Sequence, residues 1–152
     1  MIPQFFLPPI VGLLILLFLS VDGFTGNEGQ RKNLKDCPSS PNCVSSLSKD
    51  SPHLIDPLQF KDSPDEAFEC LKQIVKDEKR STIITEEGHY LHAEFRTLLG
   101  FVDDVEFCLD RENRVIHMRS ASRVGYWDLG VNRGRLEGIR SKYLKKCSKF
   151  WP

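Results

Sequence analysis

Apolar positions along the 152-residue chain fall into three patterns. Near the start, Phe5 to Val21 is an uninterrupted run of 17 residues without a charge. From Ala67 onward the spacing turns helical, with Ala67, Phe68, Leu71, Ile74 and Val75 on one face. Just before it, Ser63-Pro64-Asp65-Glu66 supplies a cap, a proline for the first turn and a capping-box glutamate. A helix is therefore predicted from Ser63 to about Lys79. Four strand-like runs follow: TIITE, HYLHAEFRT, DDVEFCLD and RVIHMRS. A second helix is predicted from near Asn132, which serves as its N-cap, with Leu136, Ile139, Tyr143 and Leu144 on one side. The fold class expected is α+β: a four-stranded antiparallel sheet with two helices packed on one face, in the order α-β-β-β-β-α.

The apolar run falls just short of the roughly 20 residues that span a bilayer as a helix. Val21-Asp22-Gly23 offers small residues for cleavage of a signal peptide, although no Lys or Arg precedes the run. An uncleaved anchor is the alternative, with Pro8 and Pro9 tolerated near its start. Arg31, Lys32 and Lys35 follow, which by the positive-inside tendency would draw the domain to the cytoplasmic side. No lipid-acceptor cysteine follows the run. The chain thus divides into a signal peptide or membrane anchor (1–23), a polar, Gly-containing linker (24–34) and a single globular domain (35–152). The expected location is exported (periplasmic, extracellular or in an organellar lumen) or anchored to a membrane by residues 5–21.

The third and fourth runs predict a register. With Arg111-Glu112 as a two-residue turn, Asp110 faces Asn113. Phe107 then opposes Ile116 and Val105 opposes Met118 on an apolar face. On the other face Glu106 opposes His117 and Asp104 opposes Arg119, acid against base. A slip of one residue would turn Asp104 and Glu106 toward the helices.

Two stretches are too rich in bonding side chains for free loops. RSASRVGYWDLGVNR, Arg119 to Arg133, connects the last strand to the second helix. Ser120, Ser122, Asp128 and Asn132 can bond backbone groups there, and Gly125 and Gly130 can take positive φ. Arg133 and Arg135 stand in the first helical turn, where positive charge suits the presence of an anion: a ligand, Asp103 or Asp128. An internal ion-pair network and a site for a carboxylate, phosphate or sulfated group are the two readings. CPSSPNCVSS, Cys37 to Ser46, predicts a compact bonded turn rather than a helix. The connection is expected to bring Arg119, Arg123 and Arg133 near that turn. Tyr126 and Trp127 would seal the contact, and Asp128 would neutralise arginine charge.

Cys37 and Cys43 can close a small disulfide loop in an oxidising compartment. Five cysteines is an odd number, so at least one lies outside any intramolecular disulfide. A Cys43 nucleophile with His53, His89, His92 or His117 as base rests only on one cysteine and scattered histidines. No metal site is expected, since His89 and His92 fall on opposite strand faces and no CxxC occurs. Basic and acidic side chains balance at 21 each, which removes the electrostatic case for nucleic acid. No cofactor is implied.

The succession SPNCVSS, DDVEF, RSASRVGYWDLGVNR resembles the family catalogued as domain of unknown function fourteen-ninety-nine, from about Cys37 to the final helix. The resemblance implies a small exported, membrane-attached or organellar protein of a kind found in bacteria, plants and algae, and it carries no catalytic assignment. Positions matching the signature are Asn42, Cys43, Ser45, Asp103, Asp104, Arg119, Ser122, Arg123, Asp128, Asn132 and Arg133. These are the candidate ligand-binding residues. First in rank stands a binding module holding a small anionic or polar ligand at the arginine-rich loop. Next is a structural or interaction protein with no small-molecule site. Last comes a hydrolase or transferase using Cys43 or Asp104, with Arg119 and Arg123 stabilising an oxyanion or phosphate. No nucleophile–base pair at recognisable spacing supports the enzyme, so no catalytic residue is assigned. The partners expected are a small anionic ligand and, through an uncleaved N-terminal segment, the membrane.

Overall fold

A computed structural model describes residues 34–61 and 63–147. The predicted signal peptide or anchor, and the linker up to residue 33, lie outside the described residues. In chain order the elements are β1 (Cys43–Ser45), β2 (Leu58–Gln59), α1 (Pro64–Lys76), β3 (Ser81–Glu87), β4 (Tyr90–Arg96), β5 (Val102–Asp110), β6 (Val115–Ser122) and α2 (Val131–Lys146). The start of α1 follows its sequence signals. Ser63 Oγ accepts the Glu66 N–H at 3.3 Å, and Asp65 and Glu66 occupy the positive end of the helix. All five residues of the predicted apolar face are buried.

The sheet has six strands, ordered β1-β6-β5-β4-β3, with β2 also paired to β6. The four-strand expectation and its element order are therefore corrected. Strands of three and two residues carry no alternation to read. Their conformation comes from β6, whose otherwise unpaired edge they fill in succession, β1 beside Arg119–Ala121 and β2 beside Val115–Ile116. CPSSPNCVSS is accordingly part turn and part strand.

The predicted two-residue hairpin is wider by two residues. Asp110 pairs with Val115, leaving Arg111–Arg114 as the turn. The Asp110 carboxylate accepts the backbone N–H and the side-chain amide of Asn113 at 3.0 and 2.7 Å, and Arg114 takes a φ of 54°. A slip of two residues keeps every side chain on its face but changes its partner. Phe107 opposes Met118, Val105 opposes Ser120, and Glu106, not Asp104, opposes Arg119.

One face of the sheet packs on the helices. Leu91, Ala93 and Phe95 of β4, Val105, Phe107 and Leu109 of β5, and Ile116 and Met118 of β6 meet the buried faces of α1 and α2 there. Leu136, Ile139 and Tyr143 of α2 join this core, whereas Leu144 stays exposed. Cys70 on α1 is bridged to Cys147 at the end of α2, and Cys37 is bridged to Cys43 as the sequence suggested. Cys108 of β5 takes part in neither bridge.

Candidate functional site

The signature residues divide between the two faces of the sheet because alternate residues of β5 and β6 point oppositely. On the helix side, Asn132 is the centre of a buried polar network. Its Oδ1 accepts from Ser120 Oγ at 2.6 Å and from Arg135 Nη1 at 2.9 Å. Its Nδ2 donates to the Asn42 carbonyl (3.0 Å), Ser122 Oγ (2.9 Å) and Asp128 Oδ2 (2.8 Å). Arg135 also reaches Asp103 Oδ2 at 2.5 Å and lies over the Phe95 ring. A fully buried amide with every polar atom engaged holds strand, turn and helix in one arrangement.

Asn132 is not the N-cap predicted for α2. Gly130, with φ of 80°, precedes the first turn without a side-chain cap of its own. Asp128 does that work, accepting the Gly130 and Asn132 N–H groups at 3.0 and 2.8 Å. A carboxylate at the positive helix end is favourable, and Asp128 is spent there rather than on arginine charge.

The outer face carries the remaining charges. Arg119 donates to Glu106 at 2.6 Å, and Tyr90 OH donates to the other oxygen of that carboxylate at 2.6 Å. Burial, with the Glu106 carboxylate beside it, pushes the Tyr90 hydroxyl well above its usual pKa. Arg123 clasps Asp104 through Nε and Nη2, at 2.9 and 2.8 Å, and meets Glu94 at 2.5 Å. His92 Nε2 stands 2.7 Å from Asp104 Oδ1. The Arg123 contact, followed by His92, holds the Asp104 carboxyl below the usual aspartate range.

The correction from Asp104–Arg119 to Asp104–Arg123 changes an expected outcome. Asp104→Asn should cost under about 1 kcal/mol, because the side chain of Arg123 is 43% exposed and solvent screens the pair. The stabilisation is present above the unfolded carboxyl pKa and is lost as pH falls through the depressed folded value. Urea midpoints of parent and variant at neutral and acid pH should converge on acidification. A constant gap between them would show that the pair does not supply the difference.

The two dense stretches do meet. Ser45 opposes Arg119 across the β1–β6 pair, Asn42 Nδ2 donates to the Gly125 carbonyl at 2.6 Å, and the Ser122 N–H bonds the Asn42 carbonyl at 3.0 Å. Arg133 donates to the carbonyls of Pro52 and Leu54, both at 2.9 Å. Tyr126 and Trp127 do not seal this contact, being 74% and 71% exposed. Cys43 is consumed in a disulfide, which overturns its reading as a nucleophile. The Arg135–Asp103 pair matches one of the anions that the sequence offered to the first turn of α2, whereas Tyr90, His92 and Glu94 were missed as network members and Glu106 was given His117 as its partner. Glu106 alternates with Asp104, and Arg135 lies one helical turn from Asn132, so both were within reach of periodicity.

His53 is tied to Asp50 through Nδ1 and to the Ser40 carbonyl through Nε2 at 3.1 Å. Both partners are acceptors, which suits the imidazolium, and the Asp50 bond, aided by Ser40, raises the His53 pKa. The stabilisation is complete below about pH 6.5 and is lost as pH rises through the folded value. Amide exchange across residues 46–54 should accelerate between pH 6 and pH 8 beyond the intrinsic base-catalysed increase, and the excess should vanish in His53→Gln.

Ser46 Oγ, His117 and Asp110 form a serine–histidine–carboxylate succession, with Ser46 Oγ 3.1 Å from Nδ1 and Asp110 Oδ2 3.7 Å from Nε2. The second distance is too long for a hydrogen bond, and Ser46 Oγ already accepts the Met118 N–H at 3.0 Å. The trio braces the turn after β1 against β6. Among the described residues no group of three His, Cys, Asp or Glu side chains is placed to hold a metal ion. No described helix is long and apolar enough to cross a membrane.

These features define an α+β domain in which two helices cover one face of an antiparallel sheet, one disulfide closes the turn before β1 and another joins α1 to the end of α2. The chain belongs to the family described as protein of unknown function (DUF1499), whose model matches residues 33–143. No curated protein and no solved structure matches the chain.

Proposed function

We propose that the chain is an exported or membrane-anchored interaction module in which the arginine-rich connection is scaffold. The working surface is the apolar end formed by the loops Leu98–Phe101 and Val124–Val131. One observation carries this reading: the signature arginines already have protein partners, while Leu98, Leu99, Phe101, Val124, Tyr126, Trp127, Leu129 and Val131 stand exposed. The loops are neighbours, because the Arg123 N–H bonds the Val102 carbonyl at 3.1 Å and Val131 shares a groove with Leu98 and Leu99. Leu129 is 81% exposed at a φ of 55°, a conformation that costs a non-glycine residue on the order of 1 kcal/mol. Two disulfides accord with an oxidising location. Oxidative footprinting of Trp127 in the producing cells, against the purified chain, tests the reading. Protection in the cell is expected, and equal modification in both would remove it.

A second reading keeps a small carboxylate or phosphate at Arg119 and Arg123. It draws on Arg119 Nε, which is buried and has no hydrogen-bond partner within the described residues. Native mass spectrometry would reveal a co-purifying anion. Under this reading Arg123→Ala abolishes anion-dependent thermal stabilisation while the fold survives.

A further inference from the structure

A groove of about 750 Å³ runs between the C-terminal end of α1, the β4–β5 loop and the exposed side of α2. Its lip is apolar, made by Leu98, Leu99 and Val131, and its walls include Lys79, Arg80 and Arg96. The acidic groups at the groove have basic partners: Glu78 pairs with Lys142 and Asp77 with Lys146. Arg135, also in the wall, is spent on Asp103. Arg96, also in the wall, has Glu94 Oε2 at 3.6 Å, so net positive charge remains at Lys79 and Arg80. The Arg80 backbone takes a φ of 61°, and its Nε donates to the Arg96 carbonyl at 3.0 Å, which sets the two arginines side by side.

We infer that this end of the domain docks on an anionic lipid bilayer. Leu98, Leu99, Leu129 and Trp127 would enter the interface, and Lys79 and Arg80 would meet lipid phosphates. The inference rests on the apolar-end reading above and names the partner. The composition matches the layers of a bilayer surface: aliphatic tips, an indole and a phenol whose polar edges suit the headgroup level, and cations beside them. Guanidinium binds phosphate oxygens in bidentate fashion, so Arg80, with Lys79 beside it, complements the headgroup charge. The same chain carries the uncharged run Phe5 to Val21, followed by Arg31, Lys32 and Lys35, and that is a membrane-directed sequence. Where that run stays uncleaved as an anchor, a bilayer is within the chain's own reach.

The test uses the full chain with Trp151→Phe, which leaves Trp127 as its one tryptophan. It is reconstituted in phosphatidylcholine vesicles with and without phosphatidylglycerol. With the anionic lipid, Trp127 emission should shift to the blue, lose its quenching by acrylamide and become quenched by brominated acyl chains. The paired change Lys79→Glu and Arg80→Glu should reverse this, and Leu98→Ser with Leu99→Ser should abolish the brominated-lipid signal. The second pair keeps the groove charge, so loss of folding in one variant does not remove the test. If Trp127 stays open to acrylamide on anionic vesicles yet is protected in cells, the lipid inference fails while the docking end stands, with a protein as partner. Exposure in both settings overturns both. Displacement of the vesicle signal by inorganic phosphate at low millimolar concentration would show a free-anion site and overturn the lipid assignment.

Discussion

Arg119→Met is expected to lower the unfolding free energy by about 3–5 kcal/mol, because it strands a buried carboxylate. The side chains of Arg119 and Glu106 are only 9% and 7% exposed, so water cannot replace the lost guanidinium. Methionine retains much of the aliphatic stem, and the loss therefore reports charge rather than packing. Glu106 is then left with the Tyr90 hydroxyl at 2.6 Å, one donor for a full charge. Two further results separate this account from simple loss of volume. The deficit should be smallest in strong acid, where no carboxylate is charged and none is left stranded. The double change Arg119→Met with Glu106→Gln should recover part of the stability, as it removes both charges together. A urea midpoint for Arg119→Met equal to that of the parent would show that the pair is not buried in solution.

The second large effect belongs to the bridge between α1 and α2. Cys70 and Cys147 are 77 residues apart, and closing a loop of that length in the unfolded chain is worth about 4 kcal/mol. The Cys37–Cys43 bridge closes only 6 residues and is worth about 2 kcal/mol by the same relation. A domain of this size has a total stability of roughly 5–15 kcal/mol, so Cys147→Ser should bring it near the unfolding threshold. The oxidised chain, unfolded in denaturant and alkylated, should take up one label among its five cysteines, and the reduced chain five. More than one label without reductant would remove a bridge from the account, and an unchanged midpoint for Cys147→Ser would contradict the loop-closure argument.

Helical periodicity was sufficient for α1, where Ser63, Pro64 and the Ala67–Val75 face all agree. Alternation was sufficient for the four long strands and for the faces of β5 and β6. The strand register was not legible to better than two residues, because Asp110, Asn113 and Arg114 close a four-residue turn that a shorter turn also fits. β1 and β2 were invisible, since a strand so short has no pattern apart from its partner. The signature residues were legible as a set, but their hydrogen-bond and ion-pair partners were not. Arg119 was matched to Asp104 instead of Glu106, and Asn132 was read as a cap although it is the centre of the inner network. The bridge from Cys70 to Cys147 needed the packing of α1 on α2, which no spacing along the chain reveals.

β6 would be a bare sheet edge without β1 and β2, and the short disulfide fixes the turn that leads into β1 at Cys43. Cleaving that bond should do more than subtract stability. Once β1 can peel away, β6 offers its unpaired backbone groups from Arg119 to Ala121 to any passing strand, including the same edge of another copy. The far side of the sheet is better guarded, because β3 breaks register between Ile83 and Thr85 and ends on Glu86 and Glu87. In a thiol-reducing compartment the domain would therefore face edge-to-edge pairing of two copies before it faced global unfolding. The short disulfide would then guard this edge against a second copy.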